Sequence, residues 1–238
     1  MNKDSLLTVK VWGKFAMFTR PEFSAERVSY PVMTPSAARG VLEQIHWKPE
    51  FRWLVHEIHV LEEIRHFSIL RNEVKTHQSD RAAKTWEKNG SGSYYADEDR
   101  TQRHSLCLRD VAYLIKAEID LKPHETNMIK HRDQFRRRLE KGQCFQQPYL
   151  GTREFSAFFA APDGTEKAIE HTDDLGLMLF DVEITEDSQG NLIYLSHDAN
   201  GKQITTGKSR PKFFQAKLDK GILKVPTSLY QQGVYKCS

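Results

Sequence analysis

The chain has 238 residues, 39% of them hydrophobic and 28% charged, and 35 Lys and Arg against 32 Asp and Glu leave a formal charge of only +3. That length suits one large domain or two small ones with a core of ordinary size. No apolar run approaches the ~20 residues of a membrane span, so no membrane partner is expected, and the opening MNKDSLLTVKVW lacks the sustained apolar run of a secretory signal.

Three cysteines, Cys107, Cys144 and Cys237, show no metal-ligand spacing and predict a reducing, cytoplasmic setting. The first apolar run, residues 6–18, reads as a strand with a bulge or bend near Gly13. Thr34 is a candidate N-cap, with Pro35 at the first helical position. Ala38, Val41, Leu42 and Ile45 would form the apolar face of that helix, and Pro49 would stop it. FRWLVHEIHVLEEIRHFSIL alternates as one or two strands. Residues 75–105 are polar, contain Gly-Ser-Gly, and read as a long flexible insertion or an extended hairpin. A strand follows at LRDVAYLIKAEIDL, then a helix capped by Thr126 or Asn127 and ended by Gly142. PYLGTREFSAFFAAP, LGLMLFDVEI, NLIYLSH and ILKVP read as further strands.

This order predicts an α+β fold: a ferredoxin-like βαββαβ unit of the RNA-recognition type over residues 1–150, and a smaller β-rich domain over 151–238.

The helix at 127–142 stands out by charge. Lys130, Arg132, Arg136, Arg137, Arg138 and Lys141 face only Asp133 and Glu140, a local +4. Met128, Phe135 and Leu139 form one stripe, Lys130, Arg137 and Lys141 fall opposite, and His131 lies near the stripe's edge. One reading is a solvated basic face with His131 half packed against Phe135. The other rests on position: Lys130 and His131 fall in or just after the opening turn, where free N–H groups and the helix dipole favour a phosphate. A Lys and a His there suit metal-free RNA cleavage, in which a base takes the ribose 2′-hydroxyl proton and a cation stabilises the phosphorane. A metal centre is not expected. His56 and His59, at odd spacing, should point to opposite faces of a strand, and Asp97, Glu98 and Asp99 fall in the polar insertion. No phosphate loop, dinucleotide turn or nucleophile elbow is present, and no cofactor is expected.

YPVMTPSAARGVLEQIHWKP, SILRNEVK, LRDVAYLIKAEI, the Lys130-His131 pair and PYLGTREFSAFF occur in this order. Together they resemble the CRISPR-associated RAMP-superfamily protein of type I-C systems, the fifth Cas family in its stand-alone nuclease variety. The resemblance runs from the first strand to about residue 182. It implies an endoribonuclease that cuts CRISPR precursor RNA at the repeat hairpin without metal and holds the crRNA 5′ handle beside other type I-C surveillance-complex subunits. It also implies a catalytic group of one Tyr and an adjacent Lys-His pair. The pair matches Lys130 and His131, whereas the Tyr position, before Trp-Lys-Pro, is His46 here.

With an imidazole at that position, the expected roles are His46 as general acid, protonated at the C-terminal end of its helix, His131 as neutral base, and Lys130 as phosphorane stabiliser. Trp47 is the expected base-stacking aromatic. Arg136, Arg137, Arg138 and Lys141 are candidates for gripping the hairpin, although the three arginines span too wide an arc to touch one ligand together. Gly151 either permits a turn or, as the resemblance implies, brings backbone close to RNA, with Arg153 adding a phosphate contact. Two other readings stay open: a non-catalytic subunit that binds the handle, and a basic protein that binds duplex DNA weakly with metal-dependent nuclease activity.

Overall fold

Alternation of Leu7, Val9 and Val11 with more exposed neighbours makes Leu6–Ala16 a strand, β1, buried along one face. The computed structural model describes residues 6–23, 25–76, 79–198 and 201–231, so Cys237 lies outside the described residues. β1 pairs with the later strand at residues 100–121 in one unbroken register, from Leu6 opposite Glu118 to Ala16 opposite Leu108. The bulge expected at Gly13 is therefore absent. A Cβ there would lie 2.6 Å from Leu150 and 3.0 Å from the Ser156 carbonyl, so the glycine permits a close crossing instead.

A two-residue strand, β2 (Arg27–Val28), precedes helix α1 (Pro35–Ile45). Thr34 caps α1 through its Oγ1, which accepts the Ala37 N–H at 3.3 Å, with Pro35 in the first turn. Ala38, Val41, Leu42 and Ile45 are buried. Strand β3 (Phe51–Val60) follows, buried at Phe51, Trp53, Val55, Ile58 and Val60. The shift in that pattern is a bulge between Val55 and Glu57. It overturns the strict alternation expected for His56 and His59. Both now share a face with Lys116 and Glu118, where His56 lies 3.0 Å from Glu118 and His59 lies 2.8 Å from Glu57.

Strand β4 (His66–Val74), helix α2 (Asp80–Asn89) and the long strand β5 (Arg100–Leu121) come next. The polar insertion is thus an extended β4–β5 hairpin with a helix between its arms. α2 has no buried side chain and is capped by Ser79 and by Gly90. Helix α3 (Met128–Lys141) leads to β6 (Phe158–Ala160), which pairs with β1. PYLGTREF is not a strand: residues 148–157 form a loop closed by one bridge, Tyr149 to Ser156. β7 (Asp173–Glu186), β8 (Leu192–Asp198), β9 (Gly201–Asp219), β10 (Ile222–Lys224) and the short α4 (Ser228–Gln231) complete the described chain.

The fold is mixed α+β around one ten-stranded sheet in the order β6-β1-β5-β3-β10-β9-β7, with β2 and β4 on β5 and β8 on β9. Every pairing is antiparallel except β2 with β5. α1 and α3 cover one face, and their apolar residues join those of β1, β3, β5 and β7 in a single core. α1 ends, and α3 begins, beside Phe51.

Candidate active site

Asn127 starts α3, its Oδ1 accepting the Lys130 N–H at 3.0 Å, and Gly142 ends it in the left-handed region. The buried face is His131, Phe135 and Leu139, one turn apart each. Phe135 packs on Trp53 with ring centroids 4.8 Å apart, and His131 on Phe51 at 5.0 Å. His131 therefore sits in the apolar stripe and is fully covered, rather than lying at its edge. Lys130 points outward, with its side chain 55% exposed.

His46 is the C-cap of α1, its N–H donating to the Leu42 carbonyl at 2.8 Å. The structure brings it to His131 from the far end of another helix: the two rings are 6.2 Å apart, and Phe51 is 5.2 Å from His46. Its side chain is fully buried, with neither ring nitrogen hydrogen-bonded among the described residues. The expected imidazolium is not what this environment favours. Burial first, then the charges of Arg138, His131 and Lys48, lower the His46 pKa to about 4. A helix end contributes typically 0.3–1 kcal/mol, and desolvation outweighs it here. At neutral pH this environment favours the uncharged imidazole of His46, a form that does not suit a general acid.

The acid of this site escaped the sequence reading. Glu125 places Oε2 at 3.3 Å from Nε2 of His131 and 3.7 Å from Nζ of Lys130. Its Oε1 accepts the backbone N–H groups of Thr126 and Asn127, both at 2.8 Å. Those two bonds, then His131 and Lys130, lower its pKa to about 2. The carboxylate thus fills the anion position expected at the opening of α3 and orients the imidazole below it. The available signal was an acid two residues before the cap, within reach of the first free N–H groups. Nδ1 of His131 has no hydrogen-bond partner among the described residues. A carboxylate on one ring nitrogen with the other unengaged is the arrangement of an oriented general base.

The remaining candidates separate by surroundings. Arg136, Arg137 and Lys141 are exposed. Arg138 is turned inward, its Nη1 donating to the Ile45 carbonyl at the end of α1. Trp47, 36% exposed, has its ring 6.1 Å from that of Phe145, which is 62% exposed and was also missed. Gly151 adopts φ +87°, and a Cβ on it would lie 2.0 Å from the Met17 carbonyl oxygen. The turn and the close approach are both real, but the backbone approached is that of the chain itself. Arg153 is exposed on the same loop. Among the described residues no group of three or more His, Cys, Asp or Glu is placed to hold a metal.

Fold and site together define an α+β protein that brings the opening of a cationic helix, two buried imidazoles and an exposed aromatic pair to the meeting point of its two main helices. Residues 6–226 match the Cas5d family model, described as CRISPR-associated protein (Cas_Cas5), and the chain belongs to that family, in the RAMP superfamily. It is 46% identical over 227 residues to a protein of Thermus thermophilus named CRISPR pre-crRNA endoribonuclease Cas5d, covering 95% of this chain and 93% of the relative. A protein of the same name from Mannheimia succiniciproducens is 39% identical over 233 residues, covering 92% and 94%. Among solved structures, a functionally uncharacterized protein of Streptococcus mutans superposes with a TM-score of 0.59 at 19% identity, covering 98% of this chain and 95% of the other, a likeness of fold.

Proposed function

We propose that this chain is a metal-independent endoribonuclease that cuts CRISPR precursor RNA at the repeat hairpin and retains the crRNA 5′ handle within a type I-C surveillance complex. The observation that carries the reading is the Glu125–His131–Lys130 cluster at the opening of a cationic helix. The names of the two relatives support it. His131, oriented by Glu125, takes the 2′-hydroxyl proton through Nδ1. The 2′-oxygen attacks phosphorus, Lys130 stabilises the phosphorane and supplies a proton to the departing 5′-oxygen, and a 2′,3′-cyclic phosphate results. His46 and Phe51 are positioning residues that hold the His131 ring. Both imidazoles are covered, so a 2′-hydroxyl reaches Nδ1 of His131 only after local rearrangement around that ring.

Arg136, Arg137 and Lys141 grip the hairpin, Arg153 contacts a phosphate near the Gly151 loop, and Trp47 stacks on a base. Arg138 serves the fold instead. The same cationic face gives weak, salt-sensitive binding to duplex DNA. The strand order β6-β1-β5-β3, with α1 and α3 as crossovers, supports a ferredoxin-like unit. Because β6 pairs with β1, the boundary expected near residue 150 falls after β6 instead, and β7 to β10 form a second part joined to β3 through the three pairings of β10.

The test is cleavage of the cognate repeat RNA in EDTA, comparing wild type with His131→Ala and normal RNA with RNA carrying a 2′-deoxy at the cut. Cutting that persists in EDTA and disappears with either change is the expected result. Tight binding without cutting under any condition leaves a handle-binding subunit.

A further inference from the structure

α1 and α3 cover one face of the sheet, and around β1 the opposite face is open. Lys10, Trp12 and Lys14 alternate with the buried Val9 and Val11, so they stand on that opposite face. They line a cavity of about 680 Å³ together with Glu62, which follows β3, Asp110 of β5, and Asp163, which follows β6. Phe158 of β6 stacks on Trp12 with ring centroids 6.0 Å apart, and the two residues are 61% and 37% exposed. β6 pairs with β1 and, among the described residues, with no other strand, so its outer edge is open beside this aromatic pair. The charges of the cavity are unevenly matched. Its lining carries three carboxylates against two ammonium groups, and Nζ of Lys10 is already 3.5 Å from Glu166, in a chain whose formal charge is +3. Glu62 and Asp110 are exposed, and among the described residues no hydrogen bond or ion pair engages either carboxylate.

We propose that this face docks an extended segment of a protein partner through an arginine, whose guanidinium lies on Trp12 and is met by Glu62 and Asp110. The charge of the lining selects the occupant. Carboxylates without partners at the rim repel phosphate, so nucleic acid is the wrong ligand here, and the exposed cations that suit RNA stand on α3 and at Arg153 instead. An indole face beside free carboxylates suits a cation, and a planar guanidinium uses both at once where an ammonium uses them less well. The open edge of β6 sets the form of the segment. A strand laid along it projects every second side chain onto the face where Trp12 and Phe158 stand. A partner held there leaves the helix-covered side free for RNA, so the chain can carry both together.

The test titrates the isotope-labelled full chain with capped pentapeptides, Val-Thr-Arg-Thr-Val and its counterparts with Lys or Glu at the centre, and separately with spermidine. The readout is the NMR signal of the Trp12 indole N–H, assigned as the one that Trp12→Phe removes. The Arg peptide should shift that signal with a Kd of roughly 1–10 mM or tighter, the Lys peptide should bind more weakly, and the Glu peptide should leave the signal in place. Glu62→Gln combined with Asp110→Asn keeps the shapes and removes both free charges. It should weaken the Arg peptide by roughly tenfold and leave binding of the repeat RNA as in wild type. An Arg peptide that does not move the Trp12 signal, or moves it no more than the Glu peptide does, overturns the proposal. Tighter binding of spermidine than of the Arg peptide also overturns it and assigns the cavity to a free polyamine. A folded double variant with unchanged peptide affinity removes the carboxylates from the argument, and one that loses repeat RNA places this face in the RNA site instead. Either result sinks the inference.

Discussion

Glu125 holds His131 and Lys130 with one oxygen while its other oxygen receives two backbone N–H groups of the turn that begins α3. The carboxylate is rigid because the backbone holds it, and the imidazole inherits that rigidity. Glu125→Gln keeps the shape and removes the charge. It should lower kcat by roughly 10- to 100-fold and leave KM for the repeat RNA within about threefold, because the residue acts through His131 rather than on RNA. Single-turnover kinetics at saturating enzyme separate the two effects. A rise in KM at constant kcat would instead make Glu125 part of the RNA-binding surface.

His46 links acidity to folding. Its pKa is lowered from 6.5 to about 4 in the folded protein, so below pH 6.5 the unfolded chain binds more protons. Stability should therefore decline as pH falls from 6.5 toward 4, by about 3 kcal/mol over the whole window. Glu125, lowered from 4.5 to about 2, acts in the same direction but only below pH 4.5. Urea denaturation between pH 4.5 and 7 isolates the histidine. His46→Phe should flatten that slope, whatever it does to absolute stability.

The same residue shapes the pH–rate profile. Two titrating histidines with opposite roles would produce a bell between about pH 5 and 8. A His46 that is neutral above about pH 4 removes the alkaline limb from that range. The profile should rise on the acid side and stay level to pH 8. Cleavage rates measured across pH 5 to 8 check this, and an alkaline fall that vanishes in His46→Phe would restore the histidine to the chemistry.

Arginines of one helix should behave differently. Arg137→Ala and Lys141→Ala each remove an exposed charge and should each flatten the salt dependence of repeat binding by a little under one unit of log K per unit of log salt. Arg138→Ala removes the donor to the Ile45 carbonyl, so it should lower stability with a smaller change in salt slope. Affinities at four salt concentrations, paired with denaturation curves, distinguish the two classes.

Gly151→Ala should cost on the order of 2–4 kcal/mol of folding stability. The added Cβ would meet the Met17 carbonyl in a conformation that side chains avoid, at φ +87°. Chemical denaturation measures the loss, and an unchanged midpoint would mean that the loop can lift from β1 without consequence.

The sequence reading succeeded where the signal was local. Thr34, Pro35 and Gly142 mark helix ends through their own backbone chemistry, and Phe135 and Leu139 lie on the buried stripe as their spacing requires. It failed where a distant residue decides. β9 carries Gly207, Pro211 and many charges, and it is a strand because β8 pairs with its first part, residues 201–207, and β7 with the rest, residues 207–218. The bulge at His56 depends on a partner strand in β5. The charge state of His46 depends first on its burial and then on Arg138, both brought about at the end of α1 by tertiary packing, and no helix-dipole argument includes either. Gly13 marked an irregular place correctly, but the irregularity belongs to the loop that crosses it.

β3 also governs the order in which the molecule can be finished. Its outer edge is taken by β10, and Tyr230 closes over it with a hydroxyl that accepts the Val55 N–H and donates to the Val55 carbonyl, both at 2.8 Å, across 175 residues of chain. During synthesis, everything from β1 to α3 emerges while that edge still lacks its partner. The nascent chain must carry an open, hydrophobic strand edge until the last strand arrives, a state that invites pairing with other chains and slows folding through its long-range contacts. Messages truncated before residue 222 should therefore yield aggregates in place of a smaller folded protein, and the cell receives either the whole sheet or none of it.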